Sequence, residues 1–155
     1  MSQVVPDAEE IAPLCYIAGP YGDAGGWVAI DRNIGVAREA AIWLVEHGFF
    51  FLCPHLNSAH FEHLTPDATI AHWYAQDLRL MEPCDAIVLV GKWPGSRGVN
   101  KERQVAAERG QPMFDFTDEK AREDLLAWRD QWIAKRLGIG LAQVVRDMAE
   151  DAPTM

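Results

Sequence analysis

Three short apolar runs along the chain each stop at a turn residue. Leu14-Cys15-Tyr16-Ile17-Ala18 breaks at Gly19-Pro20, Phe49-Phe50-Phe51-Leu52-Cys53 at Pro54, and Asp85-Ala86-Ile87-Val88-Leu89-Val90 at Gly91. A fourth run, Pro112-Met113-Phe114-Asp115-Phe116, leads into an acidic stretch. The third run, compact and β-branched, predicts a strand covered on both faces, as in a parallel sheet, and the other three predict strands as well. Between them the apolar spacing lengthens to three or four residues. Ile30, Ile34, Ala37, Ala41, Ile42, Leu44 and Val45 predict a helix from about Trp27 to His47, closed by Gly48. Trp73, Leu78 and Met81 predict a second helix over Trp73 to Met81, ended by Glu82-Pro83. Val99, Val105 and Ala106 predict a third, stopped by Gly110-Gln111-Pro112. The stripe Ala121, Leu125, Trp128, Trp132, Ile133 predicts an amphipathic helix from Asp118 to Leu137. A short helix over Leu141 to Met148 follows, and the end from Glu150 to Met155 is expected to fray.

Strand and helix therefore alternate, which is the signature of a doubly wound α/β sheet in a single domain. Its core is expected over 14–116, with a C-terminal helical segment over 118–148. No internal repeat or low-complexity segment interrupts it. Two Trp on the last long helix suggest burial against the sheet or against a second subunit.

Composition narrows the function. The chain has 155 residues and a formal net charge of −9, which disfavours a protein that grips a nucleic acid polymer through its phosphates, since that needs a basic face. A small anionic ligand remains open to it, because local donors outweigh a global field. Cys15, Cys53 and Cys84 are odd in number and set among apolar residues, so they are read as reduced core thiols. The first residues are acidic, without a basic region followed by an apolar one, and no run reaches transmembrane length. A cytoplasmic protein with no membrane partner is expected. His55, His60, His63 and His72 crowd a polar stretch, but no pair has the HxxxH spacing of one helix face and no carboxylate cluster completes them. No metal and no cofactor are expected.

The chemistry-bearing stretch follows the third apolar run. Pro94, Gly95 and Gly98 make a loop at the carboxyl end of a strand, where open α/β sheets bind ligands and where the following helix offers backbone N–H groups to an anion. Ser96, Arg97, Gly98 and Glu102 put a hydroxyl, a cation, a glycine and a carboxylate there. On one reading the helix macrodipole keeps Glu102 ionised as a nucleophile or cation stabiliser, and Ser96 offers its O–H to a phosphate. On the other, Ser96 caps the helix and Glu102 is a favourable first-turn acid. The glycines at 19, 22, 25 and 26 let the backbone come close to something, without matching a GxGxxG fingerprint or a P-loop.

Tyr16-Ile17-Ala18-Gly19-Pro20, Asp77-Leu78 ahead of Cys84-Asp85-Ala86-Ile87-Val88-Leu89, and Ser96-x-Gly98-x-x-x-Glu102 followed by Ala106 and Gly110 together resemble the nucleoside 2-deoxyribosyltransferase superfamily. The likeness extends to its phage and bacterial members of unassigned function and its nucleotide N-hydrolases, and spans about Leu14 to Phe116. It implies a flavodoxin-like sheet of four to five strands and cleavage of an N-glycosidic bond. By the same resemblance Glu102 is the nucleophile, Asp77 the carboxylate that assists the leaving base, and Tyr16 an aromatic near the sugar. From residue type alone, Tyr16 is more often a core aromatic, and Asp77 reads equally as a solvated helix residue.

Ser96 bears on the substrate. The resemblance implies Asp at this position in transferases of free nucleosides and Ser in nucleotide hydrolases, where it holds a 5′-phosphate. The first loop departs from those hydrolases, reading Pro20-Tyr21-Gly22-Asp23 where they carry small polar and basic residues. Gly19, Pro20, Ser96, Gly98 and Arg97 are the expected substrate and phosphate contacts. The activity expected is hydrolysis of a nucleoside 5′-monophosphate to free base. The alternatives are base exchange by a nucleoside (deoxy)ribosyltransferase and a non-catalytic nucleotide sensor. The resemblance also implies a homodimer or higher homo-oligomer.

Overall fold

In a computed structural model of the chain, residues 11–22 and 25–150 are described; Asp23 and the end beyond Glu150, on which two expectations rested, lie outside them. Four parallel strands form one sheet in the order β2-β1-β3-β4, built from β1 (Leu14–Ala18), β2 (Phe50–Leu52), β3 (Ala86–Leu89) and β4 (Met113–Asp115). Register pairs Tyr16 with Leu52 and Ile87, and Val88 with Phe114. The helices are α1 (Gly26–Glu46), α2 (Pro54–Asn57), α3 (Ile70–Met81), α4 (Arg97–Arg109), α5 (Lys120–Leu137) and α6 (Leu141–Glu150).

Side chains alternate across each pleat, so the central strands divide between two cores. Cys15, Ile17, Ala86 and Val88 pack beneath Ala37, Ala41 and Leu44 of α1 and Leu125 of α5. Tyr16, Ala18, Ile87 and Leu89 face Met81 of α3 and Val99 and Ala106 of α4. Helices thus cover both faces, which is the flavodoxin-like doubly wound arrangement. Strand order changes direction beside β1 and β3, and their carboxyl ends flank the crevice where such sheets bind ligands.

Two expectations change and one is met. The second apolar run is an edge strand that shrinks to Phe50–Leu52, and Phe50 and Phe51 are exposed along it. Four strands are found among the described residues, the lower end of the expected range. The second helix begins before Trp73, because Thr69 caps it by accepting a 3.2 Å hydrogen bond from the backbone N–H of His72. No helix among the described residues is long and apolar enough to cross a membrane.

The α5 stripe is accounted for within the chain. Ala121, Leu125 and Ile133 are buried, Trp128 lies 5.8 Å from Phe114 of β4, and Ile133 with Trp132 forms a small cluster with Val144 and Met148 of α6. Leu125 is the fully buried contact between α5 and the sheet. Leu125→Ala is expected to cost about 2–5 kcal/mol, the range for emptying a packed leucine site, as a lowered urea midpoint with unchanged slope. A loss below about 1 kcal/mol would show that α5 is not part of the cooperative core.

Candidate functional site

Beyond the carboxyl ends of β1 and β3 the chain surrounds a cavity of about 900 Å³. That is ample for a nucleotide-sized ligand. All eight residues singled out in the sequence line it: Tyr16, Gly19, Pro20, Asp77, Ser96, Arg97, Gly98 and Glu102. They arrive from different pieces of the winding. Tyr16 comes from β1, Asp77 from α3 beneath it, and Ser96 to Glu102 from the start of α4 after β3.

Tyr16 is completely buried, and its hydroxyl donates a 2.8 Å hydrogen bond to Oε1 of Glu102. It is a core aromatic and a site residue at once, its ring in the lower core and its oxygen at the cavity wall. Glu102 is not the ionised first-turn acid expected. It is the sixth residue of α4, past the turn where the macrodipole acts. Burial instead pushes its carboxyl up to about 8, with the charge of Asp77 adding to the rise and the Tyr16 hydrogen bond opposing it. Burial also raises Asp77, to about 6, so Asp77 is no solvated helix acid. At neutral pH the pair therefore holds one proton, mostly on Glu102.

Ser96 does cap α4. Its Oγ accepts from the N–H of Val99 at 3.3 Å. Capping uses a lone pair and leaves the O–H proton available to an anion, so the capping and phosphate readings are compatible.

The glycines answer to packing. A Cβ on Gly19 would stand 2.6 Å from Cγ2 of Val90, so this glycine lets the end of β1 pass close to the end of β3. A Cβ on Gly98 would meet the Tyr74 ring at 3.2 Å. Pro20 is held by His55, whose Nε2–H donates to its carbonyl at 2.8 Å. His55 is buried, and burial lowers its pKa, which keeps the ring neutral.

Several wall residues carried no signal of their own in the sequence. Arg32 of α1 and Lys92 after β3 join Arg97 at the cavity, giving it three cations in an acidic protein. Tyr74 lies on the same face of α3 as Asp77, three residues away, and helical spacing could have found it. Arg32 is invisible until α1 is docked on the sheet. Lys101, beside Glu102 in sequence, does not line the cavity.

The buried carboxyl makes a stability signature. Its folded pKa lies above the unfolded value of 4.5, so the native state binds the extra proton and stability falls as pH rises from about 4.5 to about 8. A tenfold difference in proton affinity between the folded and unfolded chain is worth about 1.4 kcal/mol. Glu102→Gln keeps an acceptor for Tyr16 and removes the charge. It is expected to gain on the parent by a few kcal/mol at pH 9 and to match it at pH 4.5. Urea unfolding at both values checks this; parallel curves for the two proteins would refute the buried-acid assignment.

Comparison with known proteins finds no curated protein and no solved structure that matches. A family described as a domain of unknown function, DUF7768, matches residues 13–116, which span β1 to β4 and contain every residue of the site. The chain belongs to that family.

Proposed function

We propose that the protein hydrolyses the N-glycosidic bond of a nucleoside 5′-monophosphate. The observation that carries this reading is the Tyr16–Glu102 hydrogen bond inside a cavity that also holds Asp77 and three cations. Cleaving a ribosyl C–N bond develops positive charge at the anomeric carbon and negative charge on the departing base. A carboxylate answers the first and a proton donor the second. A pair of carboxyls sharing one proton supplies both, provided substrate draws the proton to the Asp77 side and leaves Glu102 bare. Glu102 then bonds to the anomeric carbon as the base leaves with the proton, and water hydrolyses the resulting ester. Tyr16 orients the Glu102 oxygen. Ser96, Arg97 and Lys92 hold the phosphate, with the N-terminal N–H groups of α4.

The resemblance to nucleoside 2-deoxyribosyltransferases supports the same assignment of roles. The cytoplasmic setting and the homodimer that it implies belong to this proposal. Base exchange is the nearest alternative, with a second base in place of water. A sensor would keep the pocket and cleave nothing.

The reactive species carries one proton on the pair, so kcat/KM is expected to follow a bell with limbs near 6 and 8. Those values belong to the pair, not to one residue. Free base released from a panel of nucleosides and monophosphates, followed by chromatography across pH, measures it. A single rising limb would remove Asp77 as proton donor. Glu102→Gln is expected to reduce turnover by orders of magnitude with its fold retained; an active variant refutes the nucleophile.

The phosphate has its own test. Ser96→Gly preserves the cap conformation at a cost of a few tenths of a kcal/mol and removes the hydroxyl. It is expected to weaken monophosphate turnover by roughly 1–3 kcal/mol in kcat/KM and to leave the nucleoside unchanged. Equal processing of nucleoside and monophosphate by the parent would refute the phosphate site.

A further inference from the structure

At one rim of the cavity, in a part of the chain that the glycosidic reading does not use, three ligand-type atoms converge without satisfying one another. A single 3-10 turn, Phe61–His63, brings His60, Glu62 and His63 together, and one ligand atom from each lies within 4.8 Å of the others. Oε1 of Glu62 is 3.7 Å from Nδ1 of His60 and 3.5 Å from Nε2 of His63. Both Oε1 of Glu62 and Nδ1 of His60 are buried and have no hydrogen-bond partner among the described residues. Two adjacent buried acceptors left bare cost free energy that a shared cation recovers.

The surroundings hold these atoms in place. His60 directs its other nitrogen, Nε2, at Oδ1 of Asp31 on α1, 3.3 Å away. That contact sets the tautomer with hydrogen on Nε2 and leaves the Nδ1 lone pair facing Glu62. The Trp27 indole stacks on the His60 ring at 4.1 Å and 9°. The second oxygen of Glu62 accepts a 2.7 Å hydrogen bond from the Tyr21 hydroxyl, which itself accepts from the backbone N–H of His60 at 2.8 Å. His60 has a left-handed backbone, φ 60°, uncommon for a residue with a side chain. Asp31 and Trp27 hold its ring, and Tyr21 holds its backbone and the neighbouring Glu62 carboxylate.

We infer that His60 Nδ1, Glu62 Oε1 and His63 Nε2 form a binding site for a divalent transition metal of zinc type. Two imidazoles and one carboxylate suit zinc or cobalt over magnesium or calcium, which prefer oxygen. Ligand atoms about 2.0–2.1 Å from a tetrahedral ion stand about 3.3 Å apart; the separations of 3.5 and 3.7 Å to Glu62 need only a small contraction, and the His60–His63 edge, within 4.8 Å, closes by rotation of the exposed His63 ring. Three protein ligands leave one position for water or a ligand oxygen. Because Glu62 and Tyr21 also line the main cavity, the ion sits at its edge and ties the turn after α2 to α1. The absence of HxxxH spacing argued against metal in the sequence. The fold supplies the missing carboxylate from inside the turn, and the orienting groups from Tyr21, Trp27 and Asp31.

The test uses the full chain, stripped with a chelator and then titrated with Zn²⁺ by calorimetry and with Co²⁺ by absorption. One equivalent is expected to bind. Co²⁺ is expected to show visible d–d bands of four- or five-coordination, and Zn²⁺ to raise the melting temperature. His63→Ala and Glu62→Gln are expected to abolish the bands, while Asp31→Asn and Tyr21→Phe weaken binding by about 10–100-fold as orienting groups do. His72→Ala, an exposed histidine outside the cluster, is expected to bind as the parent does. His63 is itself exposed, so its removal spares the fold, and circular dichroism of the metal-free variants verifies that. A parent protein that binds no equivalent, or folded His63→Ala and Glu62→Gln proteins that bind as the parent does, overturns the assignment. Neither result bears on the glycosidic reading, whose test is release of base.

Discussion

The Tyr16 hydroxyl and the Glu102 carboxyl, 2.8 Å apart, set the terms for the rest of the site. Tyr16 is fixed by the sheet, since β1 pairs on both sides and its ring is sealed in the lower core. Glu102 is fixed by α4, whose Val99 and Ala106 pack into the same core. The hydrogen bond joins the two across the floor of the cavity. A buried acid would ordinarily carry a proton and do little, and this one does carry it, up to about 8. A second acid, raised only to about 6, stands in the same cavity. Unequal burial separates their affinities for a proton while keeping both near neutrality. That is how two identical functional groups come to hold different protonation states at one pH.

The winding of the chain explains why these groups meet. In a parallel sheet every strand points the same way, so the residues at each carboxyl end emerge into one crevice although they are 86 positions apart in the case of Tyr16 and Glu102. Close approach of β1 and β3 is required for that crevice to be narrow, and Gly19 provides it by leaving room for Val90. Replacing its hydrogen with a methyl would put two carbons 2.6 Å apart at the point where both cavity loops begin. Fold and site thus share a constraint at Gly19.

Much of this was legible along the chain. The central strands were plain because burial on both faces leaves no polar positions in them, and the loop after β3 declared itself through Pro94, Gly95 and Gly98. The edge strands were harder. Phe50 and Phe51 read as core, yet β2 has no neighbour on its outer side, and apolar type alone cannot report position within a sheet. The protonation of Glu102 was not legible at all. Its place after a helix start suggested an ionised acid, whereas its state is decided by burial, opposed by the Tyr16 hydrogen bond from β1 and reinforced by Asp77 from α3. Local sequence carries the macrodipole argument; only tertiary structure carries desolvation, and at this residue desolvation is the larger effect.

The charge distribution joins these observations. A chain with net charge −9 would repel a dianionic ligand at long range. Within about 10 Å, the screening distance at ordinary ionic strength, near neighbours dominate. Arg32, Lys92 and Arg97 meet at the cavity wall, and the carboxyl deepest in it is neutral in the free protein. On the proposed reading, protonation of Glu102 therefore has a second consequence beyond holding the proton that the departing base takes up. It lowers the negative charge that a phosphate encounters on entry. On the proposed glycosidic reading, cation character at the reacting carbon would make ionising Glu102 favourable where it is costly in the free protein. The same burial that makes the free protein tolerate only one charge on the pair makes the interaction between that charge and a nascent cation stronger than it would be in water.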